Sequence, residues 1–114
     1  MKKIILGLSF IATLLATNVS AEINDGKTIF DAKGCGLCHK PHADTIGPSL
    51  RAIWTAYLGK EMSLLSYLKG QGEPIVDPAR AAVMNPQLVK IRSLTDEDIK
   101  KLAEYVVSAT EAQY

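Results

Sequence analysis

The run Cys35-Gly36-Leu37-Cys38-His39 constrains this chain more than any other part of it. Two thiols at this spacing can each form a thioether to a haem vinyl group, and the adjacent imidazole is then delivered to one face of the iron. C-x-x-C-H is an attachment pattern for c-type haem. Anchor and axial ligand become one unit, so the chain is expected to fold about one flat apolar plate, held covalently by Cys35 and Cys38, with His39 on the metal. Two other readings stay open. A C-x-x-C pair can cycle between dithiol and disulfide, and Cys35, Cys38, His39 and His42 could crowd around zinc. The redox reading wants a strand-helix-strand setting, and no apolar run here alternates as a strand. The zinc reading gathers all its ligands into one short stretch and organises little of the remaining chain.

The amino terminus points to the compartment in which such haem is attached. Lys2 and Lys3 precede the apolar run Ile4 to Leu15, and Val19-Ser20-Ala21 supplies the small residues a signal peptidase reads. Residues 1–21 are therefore expected to be a cleaved signal peptide, with the mature domain at 22–114. The apolar core is too short for a membrane span, and no second candidate follows, so an exported, soluble periplasmic chain without a membrane anchor is expected.

A mature chain of this length is one small domain with a modest core. Small exported domains often lean on disulfides, but the only two cysteines are committed to the motif. A buried haem can take that role, because a group that binds only the folded form stabilises it. Loss of Lys2 and Lys3 with the signal turns the formal balance from +1 to −1. Lys and Arg are scattered, with no basic stripe or interleaved aromatics, so no nucleic-acid partner is expected.

The remaining pattern is helical, and nothing demands a sheet: the fold class is all-α, with four to five helices. Asn24 can cap a first helix that carries Gly26, Ile29 and Phe30 on one face and ends near Gly34. From Leu50 the apolar residues Ile53, Trp54, Tyr57 and Leu58 recur at helical spacing, and Gly59 stops the run. A further helix from about Glu61 to Lys69 ends at Gly70. Gly70 to Pro78 reads as loop, and Asp77-Pro78 reads as a cap followed by proline at the first position of a short turn. The last helix has Thr95 as N-cap, Leu94 and Ile99 as a hydrophobic staple, and Ile99, Leu102, Ala103 and Val106 as its buried face.

The second axial position decides between an electron carrier and a ligand-binding haem protein. Met62, Met84 and His42 are the candidates. His42 follows the proximal histidine too closely to pass around the haem edge, and Met62 opens a helix in an apolar run, where methionine is commonly core filler. Met84 stands in Met84-Asn85-Pro86-Gln87, an expected irregular segment between helices. Local sequence leaves it balanced between ligand and core residue.

At this point the chain resembles the small monohaem class I cytochromes c of bacteria, particularly electron carriers of hydrogen- and sulfur-oxidising species. The resemblance covers nearly all of residues 22–114. It implies the cytochrome c fold, in which the first and last helices cross at Gly26 and Phe30 on one side and Leu102 and Tyr105 on the other. It implies that in Gly47-Pro48-Ser49-Leu50 the Pro48 carbonyl accepts a hydrogen bond from His39, and that Met84 is the distal ligand, with Gln87 near its sulfur. Trp54 and Arg51 fall where the family often places partners of the haem propionates. Departures are the longer stretch Leu58 to Ala79 and the lack of proline directly after Met84.

The function so implied is one-electron transfer rather than catalysis, with His39 and Met84 bound throughout. The expected partners of this monomer are redox proteins of a respiratory chain, such as a terminal oxidase, a quinol:cytochrome c reductase or a sulfur-oxidising complex. Lys33 and Lys40 flank the motif and could steer an acidic partner. The alternative is a haem-based sensor or enzyme subunit with an open or displaceable distal site.

Overall fold

The computed structural model describes residues 18–110, with side chains from Asp25 onward. Lys2, Lys3 and Ile4 to Leu15 of the expected signal lie outside the described residues. The described residues form five α-helices and two 3-10 turns and contain no strand. The helices are α1 (Asn18–Ala32), α2 (Leu50–Tyr57), α3 (Glu61–Leu68), α4 (Ala81–Ile91) and α5 (Asp96–Ser108). The 3-10 turns are Cys35–Leu37 and Pro78–Arg80.

Capping fixes where two of these helices begin. The Thr95 side chain accepts a hydrogen bond from the Asp98 amide at 3.1 Å and opens α5 as expected, with Asp96, Glu97 and Asp98 at the positive end of the helix. Ser49 does the same for α2, accepting from the Ala52 amide at 3.0 Å. Helices α2 and α3 stop at Gly59 and Gly70, whose φ angles are 76° and 77°.

Three expectations are corrected. Asn24 does not cap α1, which already runs from Asn18; Val19 to Glu22 contain no helix breaker, so the backbone needs no fresh start at Asn24. Asp77 makes no side-chain cap to the turn at Pro78, because its carboxylate is engaged by Arg80 Nε. Met84 to Gln87 is not irregular but lies inside α4, with Pro86 in the helix interior. Proline there removes one backbone bond, to the Ala82 carbonyl. Ala82 and Pro86 are both exposed, so water can satisfy the freed oxygen.

The closest helix pairing joins the two ends of the domain. Helix α1 crosses α5 at Gly26, where an added Cβ would stand 2.2 Å from the Lys101 carbonyl oxygen and 2.6 Å from Tyr105 Cβ. Only glycine permits that approach. One turn on, the Phe30 and Tyr105 rings pack tilted, 5.2 Å between centroids. Lys101 and Asp25 add an ion pair at 3.4 Å, which solvent weakens because Asp25 is exposed. Helices α2 and α3 pack on α5 from another side, burying Leu50, Ile53, Tyr57, Leu64 and Leu68. Helix α4 makes no extensive approach to the other helices, although Leu88 and Ile91 are buried. The space this leaves is the cavity described below.

Gly26→Ala should destabilise the folded, haem-loaded protein by about 3 kcal/mol or more, because the obstructing atom is backbone and cannot swing aside. Urea unfolding followed by far-UV circular dichroism measures it; a change below about 1 kcal/mol would mean that the helices do not cross at this point.

Candidate haem site

Helix α1 ends at Ala32, the chain reverses through Gly34, and the turn Cys35–Leu37 closes with Cys38 N–H donating to the Cys35 carbonyl at 3.2 Å and His39 N–H to the same oxygen at 3.0 Å. This compact turn brings Cys35, Cys38 and His39 to one cavity while Leu37 projects into solvent. Both cysteines are half-buried and form no disulfide with each other.

The loop that follows folds back behind the imidazole. Gly47 N–H and the Thr45 hydroxyl both donate to the Cys38 carbonyl at 3.0 Å, and the Leu50 and Arg51 amides donate to the Lys40 and Pro41 carbonyls. Asp44 Oδ1 accepts from Ser49 N–H at 2.8 Å. These bonds deliver the Pro48 carbonyl to 2.8 Å from His39 Nδ1. A carbonyl can only accept, so Nδ1 carries the proton and Nε2 keeps its lone pair for a metal. The fit is close: a Cβ on Gly47 would lie 2.8 Å from His39 Cε1.

Met84 reaches the same cavity from α4, and Gln87 and Ile91 follow it at i+3 and i+7 on the same face. Met62, by contrast, is 73% exposed and His42 is exposed, and neither lines the cavity. The cavity encloses about 1190 Å³, counting its part open to solvent, and its walls are predominantly apolar, with Phe30, Leu50, Leu64, Leu68 and Leu102 among them. One polar atom within it is unsatisfied. The Tyr57 hydroxyl is buried without a hydrogen-bond partner, which costs about 1–3 kcal/mol unless a bound group meets it. Burial raises its pKa, and the neighbouring Tyr67 raises it further. The Ile75 backbone opposes the shift, although the hydroxyl makes no hydrogen bond within ordinary geometric limits. Tyr67, also on the cavity wall, is raised by burial as well. An apolar slot with two thiols, a metal-ready imidazole, a thioether and an unmet hydroxyl suits a flat metal macrocycle with polar substituents.

Trp54 is not brought to this cavity. Helix α2 turns Leu50, Ile53 and Tyr57 inward, and Trp54 falls on the flank of that face. It lines a smaller hollow with Leu58 and Val107, and the Arg51 guanidinium stacks 4.7 Å from its ring centroid. Sequence reasoning in turn passed over Ser49 and the Tyr57 hydroxyl. The signals were a serine directly before an apolar-periodic run and a tyrosine, rather than leucine or phenylalanine, on a core-facing position.

The alternatives for the motif find little support. Among the described residues no three His, Cys, Asp or Glu side chains are grouped to hold a metal ion, as a zinc site would need. Burial pushes the Cys35 thiol up, opposite to the lowered value a reactive dithiol uses. Comparison with known proteins decides the matter: the family model for cytochrome c matches residues 23–110. The chain belongs to the cytochrome c family. It is also similar to cytochrome c-551 of Stutzerimonas stutzeri, with 30% identity over 111 residues, covering 95% of this chain and 98% of that protein. It is thus a small class I monohaem cytochrome c that carries one haem c, bound covalently through Cys35 and Cys38, and its role is haem-based electron transfer.

Two outcomes follow for the site. Replacing both Cys35 and Cys38 by Ser should abolish covalent haem, so that acid-acetone extraction removes all colour; retained haem would refute the thioether anchor. Gly47→Ala should destabilise the haem-loaded protein by about 1–3 kcal/mol through the clash with His39, read by urea unfolding followed at the Soret band.

Proposed function

We propose that this cytochrome c is an exported, soluble, periplasmic shuttle whose iron is held by His39 on one side and Met84 on the other. The observation that carries the reading is that these two side chains, from a loop behind α1 and from α4, line one apolar cavity together with both anchoring cysteines. Bound haem supplies an Fe(III)/Fe(II) couple for one electron at a time. The protein residues determine how that couple behaves. Pro48 fixes the tautomer and ring orientation of His39, so the donor needs no rearrangement when the charge on the metal changes. Met84 offers a soft, polarizable sulfur, which favours the reduced form and raises the potential. The apolar walls keep water out and act in the same direction, while the Tyr57 hydroxyl can donate to a polar edge of the group. With His39 and Met84 both holding the metal, the chain would leave no position there for a substrate.

Export rests on Lys2, Lys3, the apolar run to Leu15 and Val19-Ser20-Ala21. No helix among the described residues is long and apolar enough to cross a membrane. Partners of this reading are a terminal oxidase, a quinol:cytochrome c reductase or a sulfur-oxidising complex. Docking would be brief and through a small interface of the electron-transfer class. Lys33, on the cavity wall, and Lys40, which donates to the Gly36 carbonyl at 2.8 Å, present positive charge beside the motif to an acidic partner.

Met84→Ala separates this reading from that of a sensor or enzyme subunit with an open distal site. It should remove the weak far-red methionine-to-iron band of the oxidised protein, lower the potential by on the order of 0.1 V and let the reduced protein bind carbon monoxide. A parent protein that already binds carbon monoxide as readily as the variant would instead favour the open site.

A further inference from the structure

One side chain outside the ligand set joins the loops that carry both ligands. Arg80 immediately precedes α4, one helical turn before Met84, and it lines the cavity. Its Nε donates to Asp77 Oδ2, and its Nη1 donates to the carbonyls of Thr45 at 2.8 Å and Ile46 at 3.1 Å. Those two carbonyls directly precede Gly47-Pro48, the segment that holds His39. The Thr45 link closes a loop spanning 35 residues with a single guanidinium. Helix α4 makes no extensive approach to the other helices, and its buried residues Leu88 and Ile91 lie beyond Met84, away from its first turn.

We propose that Arg80 is a positioning residue that clasps the loop behind His39 to the start of α4 and so keeps Met84 seated on the iron. The proposal rests on the His39 and Met84 ligation argued above. The chemistry favours arginine. A planar fork can serve a carboxylate and two carbonyls at once, whereas a lysine ammonium is a single point on a flexible stem. With the clasp open, the first turn of α4 loses its hydrogen bonds to the loop behind His39 and keeps its apolar contacts through Met84, and the fraction of molecules with Met84 off the iron rises. A small ligand competing for that position reports the fraction directly, because its apparent affinity scales with the population of the open form.

The test is carbon monoxide titration of the reduced, haem-loaded protein, with the far-red band of the oxidised protein recorded in parallel. Arg80→Gln should tighten apparent carbon monoxide binding at least about tenfold and weaken the band. Arg80→Lys, able to reach one carbonyl, should give an intermediate shift, and it provides the measurement if the glutamine variant does not load haem. Val107→Ala, a half-buried substitution against the core away from both loops, controls for general loosening; it should lower thermal stability without changing carbon monoxide affinity. Arginine variants that bind within about threefold of the parent, or a Val107→Ala effect as large at equal loss of stability, would overturn the clasp. Met84→Ala run alongside separates the two levels. If it opens the iron and the Arg80 variants do not, only the clasp fails; if it changes neither band nor binding, the ligation fails and the clasp with it.

Discussion

The core of this protein and its cofactor site are one surface, and the remaining features of the structure depend on that. Of the twelve buried hydrophobic residues among those described, nine line the cavity: Phe30, Leu50, Ile53, Tyr57, Leu64, Leu68, Ile91, Leu102 and Val106. Only Leu88, Ile99 and Ala103 pack away from it. A domain this small has a modest core, and the haem adds an apolar face for its helices to pack against. Stability and cofactor binding are then the same free energy viewed from two sides. The apolar walls that hold the fold together also keep water from the iron.

Around that shared surface the chain uses backbone contacts where side chains would be too compliant. The crossing at Gly26 presses α1 onto the backbone of α5, and Gly47 presses a loop onto the edge of His39. At both places the missing Cβ is what sets the distance. The imidazole is held by a main-chain carbonyl rather than by a side-chain carboxylate, so its orientation follows from the path of residues 40–49 and is not free to vary with a rotamer. Arg80 extends the same scaffold to the far wall.

Much of this was legible in the sequence because short-range chemistry writes itself locally. The haem motif, the Thr95 cap, the buried face of α5 and the ends of α2 and α3 at Gly59 and Gly70 all depend on residues within a turn or two of one another. The pairing of Gly26 and Phe30 with α5, and the bond from His39 to Pro48, came from family resemblance, and the structure has both. The misreadings have a common origin in treating one residue type as decisive. Met84 to Gln87 reads as irregular, yet Pro86 on an exposed face costs a single backbone bond that solvent can replace. Asn24 and Asp77 read locally as caps, yet a cap forms only where the backbone starts anew and the side chain has no stronger partner. Trp54 lies outside the cavity wall, stacked against Arg51, the residue with which the resemblance pairs it. The reach of Arg80 was invisible because its acceptors are backbone atoms far away in the chain, and no pattern of residue types marks a carbonyl as a target.

The crossing of α1 and α5 also bears on the order in which the molecule can be assembled. The cysteines that anchor the haem hang from the end of the first helix, while the surface that closes over Phe30 belongs to the last. A chain emerging from its amino terminus presents the motif long before α5 exists to cover it. The side of the cavity beside Phe30 thus stays open until the final helix arrives with Leu102 and Val106. Topology alone allows the cofactor to be installed on the motif before the crossing of α1 and α5 completes the wall around it.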